Sequence, residues 1–568
     1  MKTKSLFARS IYLLIVFIFL ATLFVPAASA QTGASNQYSS YIVQGTNVDV
    51  VVELVERYGG TVTSRLEIIN GVGATLSQAI LNELLSEPAI TTITPNAQMQ
   101  VDSISEKGGD DDGEKDKKDK KEKSENKKAK VDDEADWNYG AGWDGKFEGL
   151  DDQPSQGNGP NMRFRNVPET NYPNITGATA VWNAGVTGDG VAVAIIDTGL
   201  AIHPGTLFDP DGHIRITGWK DFVTGRRIPF DPNGHGTHIA GVIGNSQVGA
   251  DGEWNGVAPG VDLVGIRVAD RNGYASYEKV IQGIQWAVQN QARYNIRVIN
   301  FSMSAPVRSP YWGDPINQAL TYAWSQGMVV VTAAGNAGPD ALSVGVPGNN
   351  PYLITVGAFT DAYTPADWTD DYIPSFSSAG PTNDGFVKPD LVAPGGHIVS
   401  TMMPLSKLAR ENRDNRVGNM YFEMAGTSQS AAVVSGIVAL MLENNPSLAP
   451  SMVKYRLQAS AIPQVNLLTG ESGYSIWQQG AGRVFAPLAV FANINGGPSD
   501  VGMDIMADLN NEVHYLGYSY RDDNGMYRLY GIDETWAGGS GIWDGYSIHP
   551  DGGFWTDGGF WTDGGFWT

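Results

Sequence analysis

Four polar residues, far apart along the chain, have the types needed to cut an acyl bond. Ser428 stands in Gly426-Thr427-Ser428-Gln429-Ser430-Ala431-Ala432, where a glycine and two hydroxyls open a run of small apolar residues reaching Leu442. Such a run predicts a helix packed closely on all sides. A serine at its start meets unpaired backbone N–H groups and the positive end of the helix dipole, both of which favour developing negative charge. It could therefore be a nucleophile whose own N–H faces an oxyanion. Serine is equally common as a helix cap, so this stretch leaves both roles open until a base and an orienting acid are found. Asp197 closes Ile195-Ile196-Asp197-Thr198-Gly199; it is either a carboxylate fixed at a strand end or a turn aspartate before glycine. His235 lies in Asn233-Gly234-His235-Gly236-Thr237-His238, flanked by glycines that let the backbone pass close to other groups. Among seven histidines it has the best setting for a base. Asn336, in Ala333-Ala334-Gly335-Asn336-Ala337-Gly338, could donate its amide to an oxyanion or simply occupy a turn.

Two other chemistries fit poorly. His235 and His238 could pair on a metal, but the glutamate-bearing zinc helix signature is missing; His238 is expected to be structural. Asp-Thr-Gly also serves aspartic proteases, which need two copies, and the chain has one.

The elements that must position these residues are legible as pattern. A continuous apolar run at Val191–Ile196 and similar runs at Leu263–Val268, Val298–Phe301, Met328–Ala333 and Leu353–Val356 predict buried parallel strands. Helical spacing at Gly236–Ile243, Tyr277–Gln289 and Pro315–Gln326 falls between them. Alternating strands and helices predict an α/β domain over residues 176–495, with a parallel sheet covered on both faces. Functional groups in that architecture gather at the carboxyl ends of the strands. Residues 41–101 predict a separate small unit in the order βαββαβ, which is ferredoxin-like α+β: strands at Tyr41–Val43, Thr61–Ile69, Gly73–Leu76 and Ile90–Pro95, helices at Val48–Tyr58 and Leu76–Leu85, and a tight turn at Asn70-Gly71.

Four boxes in the order Asp, His, Asn, Ser on one α/β domain resemble the subtilisin-like serine proteases; the handed-down order Asp–His–Ser is itself the known signature of that family. The resemblance covers about residues 160–495. It implies Asp197, His235 and Ser428 as a catalytic triad, Asn336 as the oxyanion donor, and an acyl-enzyme mechanism for a serine endopeptidase. It also implies a substrate cleft bounded by Ser302, Met303 and Ser304 and by Ala333, Ala334 and Gly335, with Gly273, Tyr274 and Ala275 as the opposite edge strand. Extended peptides would pair there through their main chain. Apolar pocket walls predict a preference for large apolar side chains before the cut bond. The same resemblance makes residues 41–101 an inhibitory propeptide, cut away during self-processing. No cofactor is required for the chemistry; structural calcium is compatible with the family, but no metal ligand is assigned, since Asp209-Pro210-Asp211-Gly212 is too short a set. Two departures stand out: Gln429-Ser430-Ala431-Ala432 replaces the family's Met-Ala-x-Pro, and Ser304 replaces a usual glycine.

Composition supplies the remaining expectations. Lys2, Lys4 and Arg9, an apolar run from Ile11 to Val25 and Ala28-Ser29-Ala30 predict a signal peptide over residues 1–30 and a secreted, extracellular protein. With no cysteine, an exported chain cannot use disulfides. A net charge of −23 argues against nucleic acid as a partner. Glu106–Asp136 holds 10 lysines and 13 acids with almost no apolar residues, so residues 103–175 predict a solvated and irregular linker. Residues 496–568 are rich in Gly, Asp, Tyr and Trp and end in three copies of Asp-Gly-Gly-Phe-Trp-Thr; they predict a low-complexity tail whose aromatics could stack on glycans or a surface. The expected partners are thus protein or peptide substrates and the propeptide, on a monomeric enzyme. The alternative is a non-catalytic binding protein on a protease scaffold, and the filled catalytic positions weigh against it.

Overall fold

A computed structural model describes residues 38–101, 167–464, 473–494, 496–531 and 542–545. The expected signal peptide, most of the linker and the three hexapeptide repeats lie outside them. Residues 38–101 carry β1 (Ser39–Gly45), α1 (Val48–Arg57), β2 (Thr61–Leu66), β3 (Gly71–Leu76), α2 (Gln78–Leu84), β4 (Ile90–Pro95) and β5 (Gln98–Val101). The first four strands form one antiparallel sheet in the order β2-β3-β1-β4, which agrees with the βαββαβ pattern. Its helices bury Val48, Val51, Leu54 and Val55 from α1 and Ile80 and Leu84 from α2 in one core against that sheet. The strand expected over Thr61–Ile69 ends at Leu66, because Glu67–Ile69 turn into a 3-10 helix closed by Asn70 in the left-handed region at φ 49°. The tight turn placed at Asn70-Gly71 is therefore the end of that helical turn.

The larger unit is a seven-stranded parallel sheet built from β6 (Ala192–Asp197), β7 (Ile216–Asp221), β8 (Asp262–Arg267), β10 (Ile296–Phe301), β12 (Val329–Ala333), β13 (Ile354–Phe359) and β14 (Leu391–Pro394), in the order β14-β13-β12-β10-β6-β8-β7. Every residue of β6, β12 and β13 is buried, which explains why apolar residues dominate them, with Asp197, Thr332 and Thr355 as polar exceptions. The short strands β9 (Tyr274–Ser276) and β11 (Met303–Ser304) stand at its rim. Helices α3 (His235–Gly244), α4 (Tyr277–Gln289), α5 (Pro315–Ser325) and α6 (Thr427–Asn444) cover it. The α6 helix is buried without interruption from Thr427 to Leu442. Small residues let it approach α3: a Cβ on Gly436 would lie 2.6 Å from Val257 Cβ and 3.2 Å from the Ile243 carbonyl oxygen.

The small sheet and the large one are packed together. Ile42, Leu66, Ile69, Met99 and Val101 join the same apolar core as the parallel sheet. At the head of α4, Glu278 accepts from the hydroxyls of Thr63 and Ser64, each at 2.6 Å, and from Asn96 Nδ2 at 3.2 Å. A Cβ on Gly73 would collide with that carboxylate at 2.3 Å, so the contact requires glycine there.

Beyond the sheet, β15 (Ile398–Thr401), β16 (Arg416–Val417) and β17 (Tyr421–Met424) form a small antiparallel sheet beside α3. A last one comprises β18 (Ser519–Arg521), β19 (Tyr527–Leu529) and β20 (Ile542–Trp543). Together with a helical turn at Ile505–Leu509, it corrects the expectation of a low-complexity tail from residue 496. Tyr527, Leu529 and Trp543 are buried on Trp477, so a few aromatic contacts order a stretch that is poor in aliphatic residues. Tyr172–Ile175 likewise form a buried helical turn at the end of the expected irregular linker. Among the described residues no helix is long and apolar enough to cross a membrane.

The contact between α3 and α6 yields a test. Gly436→Val must push Val257 or the backbone of α3 aside, an overpacking cost of about 1–3 kcal/mol. Urea unfolding should show that loss as a lower midpoint at unchanged slope.

Candidate active site

Asp197 is the last residue of β6, at the carboxyl end of the sheet, and is fully buried. Its Oδ1 accepts the Thr198 N–H at 2.7 Å. His235 opens α3 and is equally buried. Its Nδ1 lies 2.8 Å from Asp197 Oδ1 and 3.0 Å from Oδ2. An acceptor so close to Nδ1 keeps the proton on that nitrogen, leaving Nε2 as the basic one. The helix start is brought to the strand end by close backbone contact: a Cβ on Gly236 would lie 2.1 Å from the Gly199 carbonyl oxygen. Gly234 precedes the helix at φ 110°, a left-handed conformation that suits glycine.

A second carboxylate, which the sequence reading did not single out, holds this turn. Asp231 Oδ1 accepts from Thr198 Oγ1 at 2.9 Å, from Gly234 N at 2.8 Å and from Asn233 N at 3.1 Å. Its Oδ2 accepts from the Thr237 N–H and hydroxyl at 2.9 and 2.8 Å. Asp231 thus ties the loop after β6 to the first turn of α3. The available signal was its place in Asp-Pro-Asn-Gly before a helix, a pattern shared with ordinary turns.

Ser428 is the second residue of α6 and is fully buried. The helix cap is Gly426, with no side-chain cap bond, so the capping role left open for Ser428 does not hold. The Ser428 hydroxyl donates to the Ser302 carbonyl oxygen at 3.3 Å, and Ser302 Oγ donates to the Ser428 carbonyl oxygen at 3.3 Å. The nucleophile candidate and the predicted pocket wall are therefore in direct contact. Asn336 stands next to the same helix start. Its Oδ1 accepts from Thr427 N at 3.0 Å and Thr427 Oγ1 at 3.1 Å. That fixes the orientation of the amide, whose buried Nδ2 has no acceptor among the described residues. Thr427 also accepts from the Gly335 N–H at 3.1 Å, joining the second pocket wall to α6. Buried donors left without an acceptor cost free energy and persist where function needs them; here the donor is the one expected to meet an oxyanion.

The predicted edges flank a strand. β5 lies between β11 and β9, antiparallel to both. Val101 is opposite Met303 and Gln100 opposite Ser304 on one side; Met99 is opposite Ala275 and Gln100 opposite Tyr274 on the other. The Val101 N–H donates to the Gly273 carbonyl oxygen at 3.0 Å. Gly273 is at φ 85°, and a Cβ there would meet Val101 at 2.8 Å. Ser304, despite replacing a glycine, accommodates this pairing. Ala333 and Ala334 are buried and Gly335 adopts φ 109°, so the predicted second wall is backbone as much as side chain. Among the described residues no group of three or more His, Cys, Asp or Glu side chains is arranged to hold a metal ion.

His238 is not part of this constellation. Its Nε2 lies 3.0 Å from the Phe422 carbonyl oxygen and 3.2 Å from that of Ile398. Burial, with the neighbouring His235 adding to it, pushes its pKa down to about 3. Burial likewise lowers His203 to about 4. Because the unfolded chain protonates near pH 6.5 and the folded imidazoles do not, the native state loses stability as pH falls from about 6.5 towards those values. Each group contributes a slope of about 1.4 kcal/mol per pH unit in that window. Urea midpoints measured from pH 7 to 4 should fall for the parent chain and fall less steeply for His238→Gln.

The profile of the subtilase family matches residues 188–490. Serine protease AprX of Bacillus subtilis is 40% identical over 278 residues, which span 48% of this chain and 61% of AprX. A thermostable alkaline protease of Halalkalibacterium halodurans is 32% identical over 49% of this chain and 64% of its own length; the chain thus spans less than two thirds of either relative. Subtilisin DY of Bacillus licheniformis is 33% identical over 288 residues, 88% of that protein. The crystal structure of fervidolysin from Fervidobacterium pennivorans, a keratinolytic enzyme related to subtilisin, superposes with a TM-score of 0.54 over 80% of this chain and 61% of its own, at 21% identity; that likeness concerns the fold. A profile covering more than half the chain, on a subtilisin-like sheet with both faces covered, leads to one conclusion: the chain belongs to the subtilase family.

Proposed function

We propose that the protein is a secreted serine endopeptidase made as a zymogen that processes itself. The observation carrying this reading is the buried Asp197–His235 pair at 2.8 Å, with Ser428 at the head of a buried helix. Ser428 Oγ attacks the peptide carbonyl carbon and gives its proton to His235 Nε2. Asp197 holds the ring in its tautomer and stabilises the imidazolium. The oxyanion accepts from Asn336 Nδ2 and from the Ser428 N–H. His235 then protonates the leaving amine, and water, deprotonated by the same imidazole, hydrolyses the acyl-enzyme. Every group in this scheme belongs to the chain, and the scheme calls on no cofactor. We assign no calcium ligand.

The zymogen reading is supported by β5. It occupies the strand position that an extended substrate would take, paired on both sides by main chain. The domain carrying it is anchored by Glu278. A peptide in that position blocks the cleft until the chain is cut beyond Val101 and the domain leaves. Peptides and proteins that reach the vacated groove become substrates, with the side chain before the cut bond seated between Ser302–Ser304 and Ala333–Gly335. Export rests on the amino-terminal sequence.

A serine-directed covalent probe should label the mature protein and fail to label Ser428→Ala, which should also accumulate uncut precursor in a host lacking other proteases. Labelling of Ser428→Ala at the same rate as the parent would overturn the assignment. Asn336→Ala should lower kcat by about 100- to 1000-fold with little change in KM, measured on a chromogenic peptide. Because His235 must be neutral to accept the proton, kcat/KM should fall on acidification.

A further inference from the structure

The segment that begins with Asn336 ends at the predicted specificity pocket. Gly345 N donates to the Ala334 carbonyl oxygen at 3.3 Å. A Cβ on Gly345 would lie 3.5 Å from Ser304 Cβ. Gly345 therefore sits where the two pocket walls meet, and the turn between Asn336 and Gly345 sets its position. Inside that turn Ser343 Oγ donates to the Asp340 carbonyl oxygen at 2.6 Å, and the turn also carries a strained residue. Leu342 is in the left-handed region at φ 64°, a conformation unfavourable for a residue with a branched side chain. It is also half exposed, at 48%, so its own burial offsets little of that cost. Ties on either side hold it: Ser343 N donates to the Ala379 carbonyl oxygen at 3.1 Å, and Ala341 N donates to the Gly545 carbonyl oxygen at 2.7 Å.

Gly545 follows β20, the last strand of the carboxyl-terminal sheet. That sheet is fastened to the catalytic unit through Trp477, which is fully buried. Trp543 stacks on Trp477 at 6.4 Å between ring centroids, and Tyr527 lies at 6.1 Å. Trp477 Nε1 donates to Ser519 Oγ at 2.9 Å. Ala341 packs against the same aromatic cluster. Gly545 is at φ 92°, and a Cβ there would lie 2.8 Å from Tyr527 Cε2 and 3.3 Å from Ala341 Cβ. The fit between the terminal sheet and the turn is thus as close as a bare backbone permits.

We infer that the carboxyl-terminal sheet is a specificity-determining support of the peptidase: through Gly545 and Trp543 it positions the turn at 339–344 and, with it, Gly345 at the base of the pocket that takes the side chain before the cut bond. The inference rests on the peptidase reading above. Gly545, Trp543 and Tyr527 are positioning residues and do not touch the substrate.

The test uses the full chain with Gly545→Ala, Trp543→Ala and, as a control, Tyr530→Ala, whose ring stacks on Tyr520 and is largely exposed. The readout is the ratio of kcat/KM for two peptides that differ only in Phe or Ala before the cut bond. Loosening the pocket base should lower the Phe-to-Ala ratio by about tenfold, the scale of discrimination an apolar pocket provides, in Gly545→Ala and Trp543→Ala but not in Tyr530→Ala. Hydrogen exchange at the Ala341 amide should accelerate in the same two variants. If Trp543→Ala does not fold, Gly545→Ala carries the comparison. An unchanged ratio overturns the inference, as does an equal change in Tyr530→Ala. A parent chain that resists the serine-directed probe removes the peptidase reading first, and the inference falls with it; a labelled chain with an unchanged ratio removes the inference alone.

Discussion

An imidazole and a carboxylate, both removed from water, must stay within hydrogen-bonding distance across two elements that are 38 residues apart in sequence. Such a pair is costly to bury and gains from burial only if its geometry is held. The surrounding structure is arranged around that constraint. The carboxyl end of β6 supplies Asp197, and the first turn of α3 supplies His235. The two are drawn together by a glycine that tolerates the Gly199 carbonyl oxygen against its backbone. Asp231 distributes its two oxygens over five donors on both sides of the junction. Shifting α3 by a fraction of an ångström would break several of these bonds at once, so the helix is located by a network and not by the catalytic pair alone.

The second half of the site is organised by Thr427. Its backbone and hydroxyl orient the Asn336 amide, and the same hydroxyl receives the Gly335 N–H. One threonine thereby links Asn336, the proposed oxyanion donor, with Gly335 of the predicted pocket wall and with the helix that carries Ser428. Preorganisation of this kind means that the donors are aimed before charge develops, so little reorganisation accompanies the reaction. The missing proline after Ser428 fits the same picture. α6 is seated by burial from Thr427 to Leu442 and by Gly395, whose carbonyl oxygen accepts the Gly426 N–H at 2.8 Å; a proline is not needed to fix its direction.

Much of this was legible in the sequence, for identifiable reasons. The central strands are predominantly apolar because both of their faces are covered, and α4 runs from Tyr277 to Gln289 as its spacing implies. β7 escaped notice because it is an edge strand: Ile-Thr-Gly-Trp-Lys-Asp is buried at only half its positions and has no clean period. β5 was hidden differently. Four residues, Gln-Met-Gln-Val, acquire strand structure only by pairing with segments about 175 and 202 residues away, and nothing local announces those partners. Asp231 looked like any turn aspartate, since what distinguishes it is the set of donors that the fold brings to it. The terminal sheet was read as low complexity because its burial comes from two aromatic rings, Tyr527 and Trp543, and Leu529 packed with Trp477, a contact between distant residues that composition cannot register. The family's boxes, by contrast, were visible because each needs particular residue types within a few positions.

On the zymogen reading proposed above, the place of β5 has a kinetic meaning. While the chain is continuous, the strand is a tethered occupant of the groove, held at an effective concentration set by covalent connection and independent of dilution. Once the connection is severed, the same contacts become an ordinary bimolecular equilibrium. Dilution outside a cell would then favour release, whereas in a crowded compartment the severed piece would rebind. The same interface would thus hold the enzyme silent at its place of synthesis and let go after dispersal, with no change in any of its hydrogen bonds.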